Sequence, residues 1–260
     1  MHNLSLIIFT TVVQASVGLY CINAIWNFKN TASRDVSSGE YKITYLSLLL
    51  AIAGMIASFT HLGFPLHSVN ALRNLHTSWM SREILALLLF LVSLATLVLI
   101  RLKIITSRLS VIFRNMAFLT AVGLIYAMIK VYSLPGLTRM LQSSVIISFI
   151  ATTIISGVSI LVILNIREHE KSGNLMFIAG IALLISFLNF IAYPHINPFE
   201  HILYWICLGT YSLAVLALVP ALIPKLKNIY VYSAVIFMIL GLISEFINRL
   251  ILLSFTSFSI

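Results

Sequence analysis

Charged residues are scarce in this sequence. Among 260 residues, 9% are charged and only 7 are Asp or Glu, whereas 60% are hydrophobic. A typical soluble domain has about 25% charged residues, so a chain of this composition could not cover its surface in water. With a mean hydropathy of +1.07, the composition excludes an ordinary soluble protein and predicts an integral membrane protein.

Cysteine and the common catalytic patterns are also scarce. The two cysteines, Cys21 and Cys207, both lie in apolar runs, and no Cys-x-x-Cys pair is present. This excludes a zinc knuckle, a cysteine-ligated iron–sulfur cluster and a disulfide framework. The sequence also has no glycine-rich phosphate loop and no Ser–His–Asp order of catalytic residues.

The histidines are badly placed to hold a haem. A b-type haem within a bilayer needs two histidines that face each other from helices. All seven lie at a terminus, in loops or at the ends of predicted helices: His2, His61, His67, His76, His169, His195 and His201. We therefore predict no haem, no iron–sulfur cluster and no metal in this chain. If the protein handles electrons, the redox centres lie in a partner.

Basic residues outnumber acidic ones, 16 to 7, which gives a net charge of +9. In a soluble protein this excess would suggest a nucleic-acid partner. In this chain the basic residues lie between apolar runs, where they set the orientation in a bilayer. We therefore predict a lipid membrane, and no nucleic acid, as the environment of the chain.

Eight apolar stretches are long enough to cross a bilayer, which takes about 20 helical residues. They cover residues 4–26, 43–61, 83–101, 111–133, 141–165, 175–193, 201–223 and 230–255. They are uniformly apolar, which excludes the alternating strands of a barrel, and the connections are too short to hold a soluble domain. The sequence predicts an all-α bundle of eight transmembrane helices that forms one transmembrane domain over residues 1–260.

The distribution of Lys and Arg predicts the orientation. We call the side of the membrane that holds the N-terminus side A and the opposite side, side B. Side B has eleven basic residues: Lys29, Arg34, Lys42, Arg101, Lys103, Arg108, Arg114, Arg167, Lys171, Lys225 and Lys227. Side A has five: Arg73, Arg82, Lys130, Arg139 and Arg249. Side B is therefore predicted to be cytoplasmic, with both termini outside.

Polar side chains from five stretches of the sequence are predicted at one depth near side A. Only two acidic residues, Glu83 and Glu245, lie within or at the edge of a predicted span, where a charge is costly. Glu83 opens the third predicted helix, and Glu245 lies about 22 Å along the last one. The full set is His61, Arg82, Glu83, Lys130, Tyr132, Arg139, Glu245 and Arg249. Together they predict a pocket that binds a polar head group and deprotonates a weak acid.

These residues also have structural interpretations. Lys130, Arg139 and Arg249 stand near helix ends, where long basic side chains extend to the membrane interface. Glu245 and Arg249 are four residues apart on one helical face and can form an ion pair that locks the last helix. Glu83 can be a charged helix start that the helix dipole favours.

The loop between the second and third predicted helices has a recognisable pattern. Residues 61–65 read HLGFP, residues 70–72 read NAL and residues 78–84 read SWMSREI. This pattern resembles the membrane-anchor subunit of anaerobic dimethyl sulfoxide reductase, the DmsC family, in which it is approximately HLGxP, NxL and SxxSxEI. The sequence KVY at 130–132 resembles the family's basic-Val-Tyr at the end of helix four, and EFINR at 245–249 resembles its Glu-x-x-x-Arg in the last helix.

The resemblance implies a function. Anchors of this family bind menaquinol in the bacterial inner membrane, oxidise it, and pass electrons to an iron–sulfur subunit that feeds a molybdopterin catalytic subunit. The quinol-site histidine and glutamate of the family fall on His61 and Glu83, which would accept the released protons; Arg82, Lys130 and Tyr132 are predicted to complete the quinol site. The sequence departs from the family pattern at Arg82, where an uncharged residue is usual, and at Lys130, where arginine is usual.

Two other functions stay open at this point. A small-molecule transporter is the first, although the sequence has neither two related halves nor polar residues at mid-depth. A purely structural anchor without a quinol site is the second, and it would make Glu83 and Glu245 structural. The protein would not itself catalyse reduction of the terminal acceptor in any of these cases. Electron transfer requires a short distance between the quinol and the first iron–sulfur cluster. Because the predicted quinol site lies near side A, which is predicted to be outside, the iron–sulfur partner is expected on the outer face.

Overall fold

The computed structural model describes residues 2–27, 38–59, 72–133, 139–165, 169–192, 198–222 and 227–257. Within these ranges the protein forms eight long α-helices, two short 3₁₀ helices at 72–74 and Ser107–Leu109, and no β-strand. The helices are α1 (His2–Trp26), α2 (Ser38–Phe59), α3 (Trp79–Arg101), α4 (Ser110–Tyr132), α5 (Arg139–Leu164), α6 (His169–Ile191), α7 (Pro198–Leu222) and α8 (Lys227–Ser257).

Each of the eight helices is long and apolar enough to cross a membrane. The predicted all-α class and the eight predicted spans are therefore confirmed. The side of the membrane on which the termini lie stays a prediction, and so does the organisation of residues 1–260 as one domain.

Several helices begin before the apolar runs that predicted them. α2 begins at Ser38 instead of residue 43, α3 at Trp79 instead of 83, and α6 at His169 instead of 175. Lys42, which was predicted to lie in a connection, is therefore inside α2, and Arg139 is the first residue of α5. The physical reason is that hydropathy detects the part of a helix within hydrocarbon, whereas backbone hydrogen bonding continues through polar residues at the interface.

The protein divides into two compact units, Met1–Tyr132 and Ser133–Ile260. In the N-terminal unit, α1 packs against α2 and α4, and α3 packs against α2 and α4. The Ser16 hydroxyl donates to the Ser47 carbonyl across the α1–α2 contact at 2.6 Å. Tyr20 of α1 reaches two further helices, because its hydroxyl donates to the Arg114 carbonyl at 3.2 Å and its ring meets Phe90 edge-on.

The C-terminal unit is built from the other four helices. α7 packs against α6 and α8, and α5 packs against α6 and α8. Large apolar side chains are fully buried between them, among them Phe149, Ile155 and Phe237. Polar side chains are also buried in this unit, and they carry the contacts described below.

Candidate functional site

The start of α3 positions the residues of the SWMSREI segment. Ser78 has extended backbone angles and caps the helix, and its hydroxyl accepts a hydrogen bond from the Ser81 N–H at 3.4 Å. The expectation that Glu83 opens the third helix is therefore wrong, because the helix begins four residues earlier, at Trp79. The helix dipole stabilises an acidic side chain mainly in the first turn of a helix. Because Glu83 lies beyond that turn, the dipole does not explain an acid at this position.

Glu83 lies inside the N-terminal unit. Its side chain is 5% exposed, and its Oε1 atom has no hydrogen-bond partner in the part of the protein that the structure describes. Removing an ionised group from water costs several kcal/mol unless partners compensate it. An acid in this condition within a membrane helix indicates a functional site. A hydroxyl donor from a bound ligand would supply the missing partner.

Arg82, the next residue, bonds to the turn that precedes α3. Its Nε donates to the Leu75 carbonyl at 2.9 Å and its Nη2 donates to the His76 carbonyl at 2.7 Å. The guanidinium carbon also lies 4.2 Å from the centroid of the Trp79 ring. Arg82 therefore fixes the turn that precedes α3.

Four side chains at the meeting point of α3 and α4 form what we call the interfacial cluster: Trp79, Arg82, Tyr126 and Lys130. The Trp79 and Tyr126 rings meet edge-on with centroids 5.5 Å apart. The Nζ atom of Lys130 lies 5.6 Å from the Tyr126 centroid and 6.0 Å from the Trp79 centroid. The sequence reasoning paired the two cations with a quinol site and missed both rings. Aromatic residues at the ends of apolar spans, which are common at membrane interfaces, were the available signal.

The other predicted site residues are distributed as follows. His61 lies outside the described residues. Tyr132 is buried at the end of α4, while Glu245 and Arg249 belong to the C-terminal unit. Arg139 also belongs to that unit, and its side chain lies outside what the structure describes. The quinol-site assignment of His61, Glu83, Arg82, Lys130 and Tyr132 stays a prediction.

A buried polar network joins all four helices of the C-terminal unit. Its centre is the Glu245 carboxylate of α8, which accepts from the Tyr211 hydroxyl at 2.9 Å and from the Thr152 hydroxyl at 2.6 Å. Tyr211 lies on α7 and Thr152 on α5. Ser186 of α6 is 2.9 Å from the Tyr211 hydroxyl. Because Tyr211 gives its one proton to Glu245, Ser186 acts as the donor in this contact.

Arg249 enters the same network through Thr152. Its Nη2 donates to the Thr152 hydroxyl at 3.2 Å, and its guanidinium carbon lies 3.7 Å from the Phe149 centroid. Asn248 donates to the Tyr211 hydroxyl at 3.2 Å. The acid and the base that sequence spacing predicted as a pair are thus bridged by one hydroxyl of another helix. Thr152 belongs to a row on α5 in which Ser or Thr recurs every fourth residue from 144 to 156, but that row alone does not identify Thr152 as the bridging residue.

Metal ligands are not clustered in the described ranges. No group of three or more His, Cys, Asp or Glu residues within them could hold a metal ion. The expected absence of haem, iron–sulfur cluster and metal from this protein stays a prediction.

Comparison with known proteins decides the family. The family model described as DMSO reductase anchor subunit (DmsC) matches residues 1–196. The protein belongs to that family. The match covers the whole N-terminal unit and reaches the end of α6 in the other. A curated relative, the C subunit of the anaerobic dimethyl sulfoxide reductase of Haemophilus influenzae, is 28% identical over 193 residues, which cover 71% of this sequence and 68% of the relative. The resemblance read from the HLGFP and SWMSREI segments is therefore confirmed.

Proposed function

We propose that this DmsC-family anchor oxidises menaquinol and passes its electrons to an iron–sulfur partner subunit, which feeds a molybdopterin subunit. The observation that supports this function best is the buried Glu83 carboxylate, with an oxygen that no described residue satisfies. Menaquinol carries the hydroxyl groups that fit such an acceptor. Membership of the family supports the role of membrane anchor. The unsatisfied Glu83 oxygen supports quinol binding.

The reaction releases two protons and two electrons from each quinol and leaves a quinone. In the proposed step Glu83 accepts the proton of one quinol hydroxyl, and His61, which the motif implies, accepts the other. The two electrons pass one at a time to the iron–sulfur partner subunit. A positioned general base of this kind contributes about 100-fold or more to a rate, because the quinol loses electrons readily only as its protons leave.

The proposed cellular setting follows from the same function. The complex lies in a bacterial inner membrane during anaerobic respiration, with the eight helices as the membrane part. The terminal acceptor is reduced on the molybdopterin subunit and not on this anchor. We place the iron–sulfur partner on side A, the side of the Glu83 end of α3, which shortens the path from quinol to cluster.

The test uses the assembled complex and the variant Glu83→Gln, which keeps the shape of the side chain and removes its basicity. We expect oxidation of a menaquinol analogue, followed by absorbance, to fall about 100-fold. Reduction of the complex by a redox dye that donates directly to the partner should stay at the wild-type rate. Glu40→Gln is the matched control, because it makes the same change in the first turn of α2.

Two outcomes would contradict the proposal. A Glu83→Gln complex that oxidises the quinol analogue at the wild-type rate would remove Glu83 from the site. A wild-type complex that assembles and accepts electrons from the dye, but never from quinol, would make the protein a purely structural anchor.

A further inference from the structure

The interfacial cluster stands where hydrocarbon gives way to lipid headgroups. Trp79 is the first residue of α3, and Lys130 lies in the last turn of α4. These positions are the ends of two apolar spans, Trp79–Arg101 and Ser110–Tyr132. Trp, Tyr, Lys and Arg concentrate at this level of a membrane protein. The ring contact between Trp79 and Tyr126 shows that the two helix ends meet.

The two cations of the cluster concentrate positive charge around one ring. Arg82 and Lys130 both lie within 6.0 Å of the Trp79 centroid. Neither forms an ion pair with a carboxylate in the described part of the protein, since Arg82 bonds two backbone carbonyls and Glu83 is buried separately. Arg82 is fixed by those carbonyls, whereas Lys130 is exposed at the surface. An anion that contacts Lys130 beside the ring would also be attracted by the positive charge of Arg82.

An exposed apolar track leads from Lys130 down one face of α4. Tyr126, Val122 and Leu119 follow at helical spacing and are 54%, 52% and 69% exposed. Eleven residues separate Lys130 from Leu119, which is about 16 Å at 1.5 Å per residue. Half of the hydrocarbon core measures about 15 Å. The track therefore has the length of one lipid acyl chain.

We propose that the interfacial cluster binds the phosphate of an anionic phospholipid, with an acyl chain along the Leu119–Val122–Tyr126 face of α4. Lys130 contacts the phosphate directly, Arg82 adds a fixed positive charge, and the two rings pack against the glycerol region. The apolar track favours a lipid over free phosphate, because inorganic phosphate has nothing to place on it. This proposal gives Arg82 and Lys130 to the lipid instead of the quinol, whose proposed proton acceptors are Glu83 and His61, so either proposal can fail without the other.

The experiment measures lipid bound to the purified complex in mild detergent, by native mass spectrometry. The probes are phosphatidylglycerol, which is anionic, and phosphatidylcholine, which is zwitterionic. We expect the wild-type complex to retain phosphatidylglycerol preferentially. Lys130→Gln should weaken its retention about fivefold, the effect of about 1 kcal/mol for one basic residue near a lipid surface. Lys130→Arg keeps the charge and should retain the lipid.

Lys103→Gln is the matched control. Lys103 is an exposed lysine in the turn at the other end of the same helix pair, and its substitution should change retention less than twofold. Equal losses for Lys103→Gln and Lys130→Gln would overturn the proposal, because they would indicate general surface attraction. Equal retention of the two lipids by the wild-type complex would also overturn it, as would displacement of phosphatidylglycerol by inorganic phosphate.

Discussion

At the scale of single residues, the Glu245 carboxylate differs sharply from that of Glu83. The Glu245 carboxylate has a hydroxyl donor on each oxygen, and Arg249 reaches it through Thr152. Both residues are fully buried in the C-terminal unit. A polar group that is satisfied in this way stabilises a particular packing, whereas an unsatisfied one is available for a ligand. We therefore expect Glu245, together with Arg249, to have the structural role that their spacing suggested.

This role predicts a strong energetic coupling between the two residues. Glu245→Gln and Arg249→Met should each lower the free energy of unfolding by about 3–5 kcal/mol, because each leaves the other charge buried without its counter-charge. The double variant should lose clearly less than the sum of the two. The measurement is equilibrium unfolding of the protein in mixed micelles with a denaturing detergent. Additive losses would show that the two side chains act independently.

Some of these residues could be identified from the sequence alone, and others could not. Glu83, Glu245 and Arg249 could be found because a charge within an apolar run is rare and needs a reason. Thr152 and Tyr211 could not be assigned as their partners, since hydroxyl groups are common in membrane helices and bond to their own backbone. Thr152 in fact also contacts the Ser148 carbonyl, at 2.7 Å. Only the packing of α5 and α7 against α8 distinguishes them from other hydroxyls.

At the scale of helices, small residues set how closely α1 and α2 approach. A Cβ atom added to Gly54 of α2 would lie 2.5 Å from Cγ2 of Val13 and 3.4 Å from the Val13 backbone nitrogen. Val13 is β-branched and stiff in a helix, so it cannot move aside cheaply. The close approach also allows the bond from Ser16 to Ser47. Without a hydrophobic force between helices in lipid, such packing is what holds them together.

Gly54→Ala should therefore destabilise the N-terminal unit by about 1–3 kcal/mol, the cost of overpacking a well-packed contact. Gly123→Ala on α4 is the matched control, because no described atom outside the neighbouring turns of its own helix lies within 4 Å of the added Cβ. That change should be neutral or stabilising by up to about 1 kcal/mol, since alanine favours helix. Thermal unfolding of both variants in one detergent gives the comparison. Equal stabilities would mean that the α1–α2 contact is looser than these distances indicate.

The number and type of the helices could be predicted, but their starts could not. Eight uniformly apolar runs of this length can cross a membrane only as α-helices. The start of α3 was missed because Ser81, Arg82 and Glu83 interrupt the hydrophobic pattern although the backbone is helical from Trp79. Ser78, which caps the helix, was the local signal that marks such a start.

At the scale of the whole molecule, two of the basic residues that were used to predict orientation are buried. Arg249 is fully buried in the C-terminal unit and Arg114 is buried in the N-terminal one, so neither is an interfacial charge. Removing both leaves ten basic residues at the side-B ends of the helices and four at the side-A ends. The excess of six basic residues on side B is unchanged, so the positive-inside bias does not depend on the two buried arginines.

We therefore predict that side B is cytoplasmic and that both termini are outside. Eight spanning helices put the two termini on one side, and the connection at 102–109 on the other. A reporter enzyme that is active only outside the cytoplasm should be active when fused to the C-terminus and inactive when inserted in that connection. A fluorescent reporter that matures only in the cytoplasm should give the reverse pattern and serves as the control.

The orientation also determines on which side of the membrane electrons leave the proposed quinol site. Glu83 lies near the side-A end of α3, and electron transfer is fast only over short gaps, so an outer side A favours an iron–sulfur partner on the outer face. Protons and electrons then leave on one side, and the step moves little net charge across the membrane. Protease added to intact spheroplasts should in that case digest the partner. Protection of the partner, together with outer termini, would require electrons to cross most of the bilayer and would contradict the placement of the quinol site at Glu83.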